Sequence, residues 1–170
     1  MKKILLALLF ISTLAKAQTS NPSSTNLPTE GFLSGYSLEQ SPNTNLVLQS
    51  VKALESLDTE KYKSFYASDA KFHDNTEEKN LEQNISFISA LKSNGISVKF
   101  ERVAPIWEYV HQSKNMNNPN RYVISYQQAI MAKGDKKTKV VLIAVDLMKD
   151  GKIKEEWLSY DTKGIMELMK

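Results

Sequence analysis

Cysteine is absent from all 170 residues, and only two histidines are present, His73 and His111. A disulfide framework is excluded, so the fold must rest on an ordinary apolar core. Two separated histidines with no thiol make no metal-ligating constellation, and no cofactor or metal is expected. Glycine-rich phosphate loops and nucleophile elbows are missing too. With six glycines and five prolines the chain is not of low complexity as a whole. Nor is there an apolar run of the ~20 residues that span a bilayer.

What stands first is "MKKILLALLFISTLAKA". Lys2 and Lys3 form a basic start, Ile4 to Leu14 an apolar stretch, and Ala15-Lys16-Ala17 a small-x-small cleavage signal. Residues 1–17 are therefore expected to be a signal peptide cut near Ala17. The mature protein would be periplasmic or secreted, with no stable membrane anchor. The leader holds three of the 22 basic residues and no acid, which leaves 19 bases against 19 acids. A neutral mature chain has no overall field to attract nucleic acid, and no nucleic-acid partner is expected. Residues 18–43, rich in Ser, Thr, Asn and Pro, predict a flexible linker. Its apolar residues Phe32, Leu33, Tyr36 and Leu38 are candidates for a strap on the domain surface.

Residues 44–170 suit one domain. Val47, Val51 and Leu54 recur at helical spacing from Thr44 onward. Asp58 and Thr59 predict the cap of a second helix carrying Tyr62, Phe65 and Tyr66. "AKFHD" reads as a short extended piece. A third helix ends at Ser93, its face Leu81, Ile85, Ile88 and Leu91, with Asn80 and Gln83 at capping-box spacing. Beyond Gly95 the period falls to two. A strand passes Pro105, which is expected on an edge or at a bulge because it lacks an N–H. Then come a polar loop, a strand from Tyr122, the apolar "KVVLIAVDLM", a "KDGK" hairpin turn and a last strand. Helices followed by hairpin-linked strands define the α+β class.

Two segments resemble a known family. "SLDTEKYKSFYASDAKFHD" is similar to the N-terminal signature of the SnoaL-like branch of the nuclear transport factor 2-like superfamily, and "DLMKDGKIKEEWLSYD" to its closing hairpin. The resemblance spans about Asn45 to Asp161. It implies a cone-shaped curved antiparallel sheet, an α+β barrel whose N-terminal helices close a cavity, and frequent homodimers. Members of this superfamily include isomerases, cyclases, dehydratases and epoxide hydrolases, besides proteins that only bind ligands or hold assemblies together, so the function must be argued from the site.

Strand parity selects the candidates. Phe72 and Asp74 share a face, which puts Asp74 at the cone rim if Phe72 points inward, where the resemblance also places its motif acid. Asp74 is then either a candidate general base or a carboxylate that begins the turn "DNTEE". In the last strand Ile153, Glu155, Trp157, Ser159 and Asp161 form the expected inward set. Asp161 is then either a general base raised by burial against Trp157 or a polar strand end. A one-residue bulge would reverse the position of Glu155. Asp146 interrupts an apolar strand and needs a partner, for which Lys154 and Arg121 are candidates. Tyr62, Phe65, Tyr66, Phe87, Trp107, Tyr122, Tyr126 and Trp157 form the candidate pocket wall for a small apolar or aromatic molecule. Tyr122 and Tyr126 are candidate oxyanion donors. Three readings remain open: ligand binding without chemistry, a cofactor-free lyase, isomerase or cyclase, and a dimeric interaction module.

Overall fold

A computed structural model describes residues 36–111 and 119–170. The leader, its cleavage site, Phe32, Leu33 and most of the polar loop after His111 lie outside the described residues.

The first long helix, α1 (Pro42–Glu55), starts inside the segment expected to be linker. Ser41 caps it reciprocally: its hydroxyl accepts from the Thr44 N–H at 3.0 Å, and Thr44 Oγ1 accepts from the Ser41 N–H at 2.9 Å. Pro42 in the first turn needs no hydrogen bond there. Just before it, β1 (Tyr36–Leu38) pairs with a later strand, so part of the linker is a docked edge strand.

Helix α2 (Thr59–Lys63) is capped by Asp58 and is shorter than the aromatic spacing predicts. The chain leaves it at Ser64 because the Phe65 carbonyl is taken by the Ile153 N–H at 3.0 Å. Tyr66 consequently opens strand β2 (Tyr66–Asp74) instead of continuing the helix. A hairpin returns as β3 (Glu77–Asn80), and Asn80 caps α3 (Leu81–Ser93) through the expected box with Gln83.

Four long strands follow: β4 (Ser97–His111), β5 (Asn120–Lys133), β6 (Lys136–Lys149) and β7 (Lys152–Tyr160). Asp150 and Gly151 both take positive φ, the requirement of the tight turn their sequence announces. The seven strands run in the order β1-β4-β5-β6-β7-β2-β3. Every neighbouring pair is antiparallel except β2 and β7, which are parallel, so the sheet is mixed. Pro105 satisfies both of its expected settings. It falls in a register shift of β4, and β1 covers that edge only at Glu108–Val110.

The sheet curves around its concave face, where α1 and α3 bring Val47, Leu81, Ile88 and Leu91 against Phe72, Val123 and Ile153. Strand β6 is central, as its apolar run suggests, but it is covered on one face only. Val141 and Ile143 point outward at 42% and 52% exposure. A terminal helix, α4 (Lys163–Met169), which the sequence reading lacks, packs Ile165 and Leu168 into the core. It lies so close to β6 that a Cβ at Gly164 would sit 2.0 Å from Thr138 Oγ1 and 2.9 Å from Thr138 Cβ.

Gly164→Ala is therefore expected to lift α4 and cost about 1–3 kcal/mol, read as a lower urea midpoint. Adding Thr138→Ala should restore part of the loss, since it removes the nearest atom and leaves the Cβ.

Candidate functional site: a buried carboxyl pair

The site depends on one extra residue in β7. Met148 pairs with Ile153, but the next residue of β6, Leu147, pairs with Glu155, leaving Lys154 bulged. Ile153 faces the cone, and after the bulge the inward residues are Glu156, Leu158 and Tyr160. This corrects the expected inward set: Glu155, Trp157, Ser159 and Asp161 turn outward. Asp161 is exposed, and its Oδ1 accepts from the Lys163 N–H at 2.8 Å at the start of α4. It is a helix-start ligand with no access to the cavity.

The shift brings Glu156 directly opposite Asp146 on β6. Asp146 is 1% exposed and Glu156 is 7% exposed. Neither expected partner reaches Asp146: Lys154 is ion-paired with Asp69, and Arg121 binds Glu108 at 2.7 Å. No protein donor reaches either Asp146 oxygen. Two carboxylates cannot sit together in a dry interior fully charged. Burial, followed by the charge of Glu156, pushes the Asp146 carboxyl well above its ordinary range. Burial also raises Glu156, against the opposing pull of the Tyr66 hydroxyl and of Asp146. Burial therefore works against full ionisation of the pair, and more strongly at Asp146 than at Glu156.

A chain of hydroxyls fixes the other side of Glu156. Tyr66 Oη donates to Glu156 Oε2 at 2.6 Å, and Tyr62 Oη lies 2.6 Å from Tyr66 Oη. Tyr66 has one hydroxyl proton, and the carboxylate is the stronger acceptor. Tyr62 must then donate to Tyr66, while Asn84 Nδ2 donates to Tyr62 at 3.3 Å. Burial and the charge of Glu156 hold both tyrosines neutral, raising each well above its usual value.

These groups line a chamber with about 110 Å³ open to the centre of a water molecule. At the ~10–15 Å³ that one water needs, that is room for on the order of eight non-hydrogen atoms. Its walls are largely apolar, with Leu54, Phe87, Phe100, Met131, Leu142 and Leu158 among them, and Gln127 adds a polar edge. Among the described residues, no Lys, Arg or His lines it. Asp74, Phe87, Tyr160 and Ile165 are shared with an adjoining outer recess, which makes them the mouth. Asp74 Oδ2 binds Lys79 Nζ at 2.6 Å there, and Lys79 also lies 5.8 Å above the Phe87 ring. Burial and the neighbouring Asp74 carboxylate raise the Tyr160 hydroxyl.

Of the expected pocket aromatics, Tyr62, Tyr66 and Phe87 line the chamber. Phe65 packs on the core outside it. Trp107, Tyr122, Tyr126 and Trp157 are corrections. Their cross-strand partners (Ile124 for Trp107, Ile143 for Tyr126, Val145 for Trp157) place them on the convex face. Trp157 stacks there on His73 at 5.0 Å, and Tyr122 and Tyr126 cannot serve as oxyanion donors in the chamber. The cavity side of β5 instead holds Val123, Ser125, Gln127 and Ala129, because a concave face that leaves room needs small side chains. The pairing of Asp146 with Glu156 was missed, although polar residues at alternate positions of β5 and β6 (Ser125, Gln127, Asp146) were a signal for it. Among the described residues no group of His, Asp or Glu is arranged to hold a metal ion.

No family model matches the sequence, and no curated protein matches it. Solved structures do. Bal32a, from a soil-derived mobile gene cassette, superposes with a TM-score of 0.56 at 15% identity, covering 78% of this chain and 100% of its own. An M. tuberculosis LEH-like epoxide hydrolase gives 0.54 at 12%, covering 78% and 92%. A candidate SnoaL-like polyketide cyclase from Shewanella putrefaciens gives 0.52 at 18%, covering 77% and 87%. The fold is that of the nuclear transport factor 2-like proteins. Within them, it is the SnoaL-like form that the two sequence signatures resemble.

A group whose native pKa is raised adds stability below its unfolded pKa and loses it as pH rises through the native value. Asp146→Asn sets an uncharged side chain with N–H donors opposite Glu156. It is expected to raise stability above neutrality by about 1–3 kcal/mol and to flatten the alkaline decline, measured as urea midpoints between pH 4 and 9.

Proposed function

We propose that the cone is a binding chamber for a small, largely apolar molecule, anchored by the Asp146–Glu156 carboxyl pair. One observation carries this reading: a buried acid, costly to stability, faces an apolar cavity with no protein donor on either oxygen. Acids perturbed by burial and by a charged neighbour in a cleft are candidates for functional sites. The fold neighbours, some of which bear the names of cyclases and an epoxide hydrolase, fit such a chamber. The leader-like N-terminus supports release to the periplasm or medium. Ala144→Leu, which carries a branched side chain into the chamber from β6, should abolish the amide shifts that benzyl alcohol induces in nuclear magnetic resonance spectra. Unchanged binding in a folded Ala144→Leu protein would place the ligand elsewhere.

A second reading, proton transfer on the bound molecule, is favoured by two facing carboxyls in the chamber wall. Glu156 would take a proton from carbon beside a carbonyl, with Asp146 adjusting the charge. Tyr160, whose hydroxyl lies beside Asp74 at the mouth, is placed to meet a developing oxyanion. Solvent deuterium should then enter the methyl group of acetophenone faster with the protein than without it, and Glu156→Gln should remove the acceleration.

The expected homodimer belongs to the convex face, where exposed Val141 and Ile143 adjoin outward-facing Tyr122, Ile124 and Tyr126. Ile143→Lys is expected to raise the dimer dissociation constant about tenfold or more, the scale of one buried aliphatic side chain. Sedimentation equilibrium reads this directly, and a monomeric wild-type protein would refute the dimer.

A further inference from the structure

We propose that the chamber selects small apolar amines, held as ammonium ions on the Asp146–Glu156 pair. This rests on the binding reading above and narrows it to a chemical class.

The charge of the lining is one-sided. Asp74, Asp146 and Glu156 face the chamber, and no basic side chain does. Among the described residues the cation at the mouth, Lys79, is committed to Asp74 and Glu77, at 2.6 and 3.2 Å. An anionic ligand would therefore meet acids without a counter-charge. A neutral acceptor gains nothing from the acids' charge. An ammonium group brings several N–H donors to the place where donors are lacking: Asp146 receives none from the protein, and Glu156 has one, from Tyr66. Desolvation of an ion pair is normally the obstacle, but here folding has already buried both carboxyls, at 1% and 7% exposure. Only the amine must be dehydrated on entry. The rings of Tyr62, Tyr66, Phe87 and Phe100 supply the apolar body and favourable faces for a cation.

The protons balance simply. The amine enters as RNH₃⁺ and keeps its protons, and any proton held on the raised carboxyls leaves to buffer as the ammonium takes its place. The titratable groups around the pair are Tyr62, Tyr66, Tyr160 and Asp74, with Lys79 beyond. The tyrosines stay neutral and the Lys79–Asp74 bond is already formed, so the released proton comes from the pair.

The test is calorimetric titration of the purified full chain with three probes of matched size: benzylamine, benzyl alcohol and benzoate. Benzylamine is expected to bind at least tenfold tighter than the alcohol and benzoate not to bind. Repeating the amine titration in buffers of different ionisation enthalpy should show proton release. Asp146→Asn with Glu156→Gln should bring the amine down to the affinity of the alcohol while the alcohol is retained, which also reports that the variant is folded. Alcohol binding equal to or tighter than amine binding, or binding of benzoate, overturns the amine assignment and leaves the chamber as a ligand site. Failure of all three probes to bind removes the binding reading itself, and the amine assignment with it.

Discussion

A single bulged residue in β7 governs what this molecule can do. Without the extra residue at Lys154, Asp146 would face Glu155, and Glu156 would point outward with Trp157 facing the cone. With it, Glu156 replaces Glu155 opposite Asp146, within reach of the Tyr66 hydroxyl, and the tryptophan goes to the outside. A sheet has a side-chain period of two, so one inserted residue exchanges every later side chain between faces. The Glu156 side of the chamber, the tyrosine hydroxyl chain and the exposure of Asp161 all follow from that exchange.

The two faces of the sheet then divide their work by size. Ser125, Ala129 and Ala144 on the concave side leave space. The convex side collects large rings and branched chains: Trp107, Tyr122, Ile124, Tyr126, Ile143 and Trp157. Bulk that would fill a core in a flat sandwich here sits behind the sheet, and the helices α1 and α3 provide the opposite wall.

Much of this fold was legible in the residues. The Asn80–Gln83 box, the Asp150-Gly151 turn and the shift from helical to strand spacing after Gly95 are local signals, and local physics determines them. The third helix and the last hairpin accordingly lie where they were expected. Asp74 stands at the rim because no bulge intervenes between it and Phe72. Other features depend on distant partners. Phe65 and Tyr66 leave their helix because Ile153 claims the Phe65 carbonyl from the far end of the chain. The aromatic wall was assigned to the wrong side because rings were equated with interior, whereas curvature decides which face has room. The bulge leaves no local mark: "KIKEEW" contains no glycine or proline, and its register is set by β6 and β2 together.

The parallel contact between β2 and β7 has a temporal consequence. Tyr66 and Glu156 are separated by 90 residues, and contacts across such intervals carry the greatest closure entropy, so they form late. The β6–β7 hairpin sets Glu156 opposite Asp146 locally, but until β7 docks beside β2 that acid has no tyrosine donor. The hydrogen-bonded side of the pair is therefore completed in the act that closes the sheet. A chain that stops short of β7 is left with an open trough and a solitary aspartate.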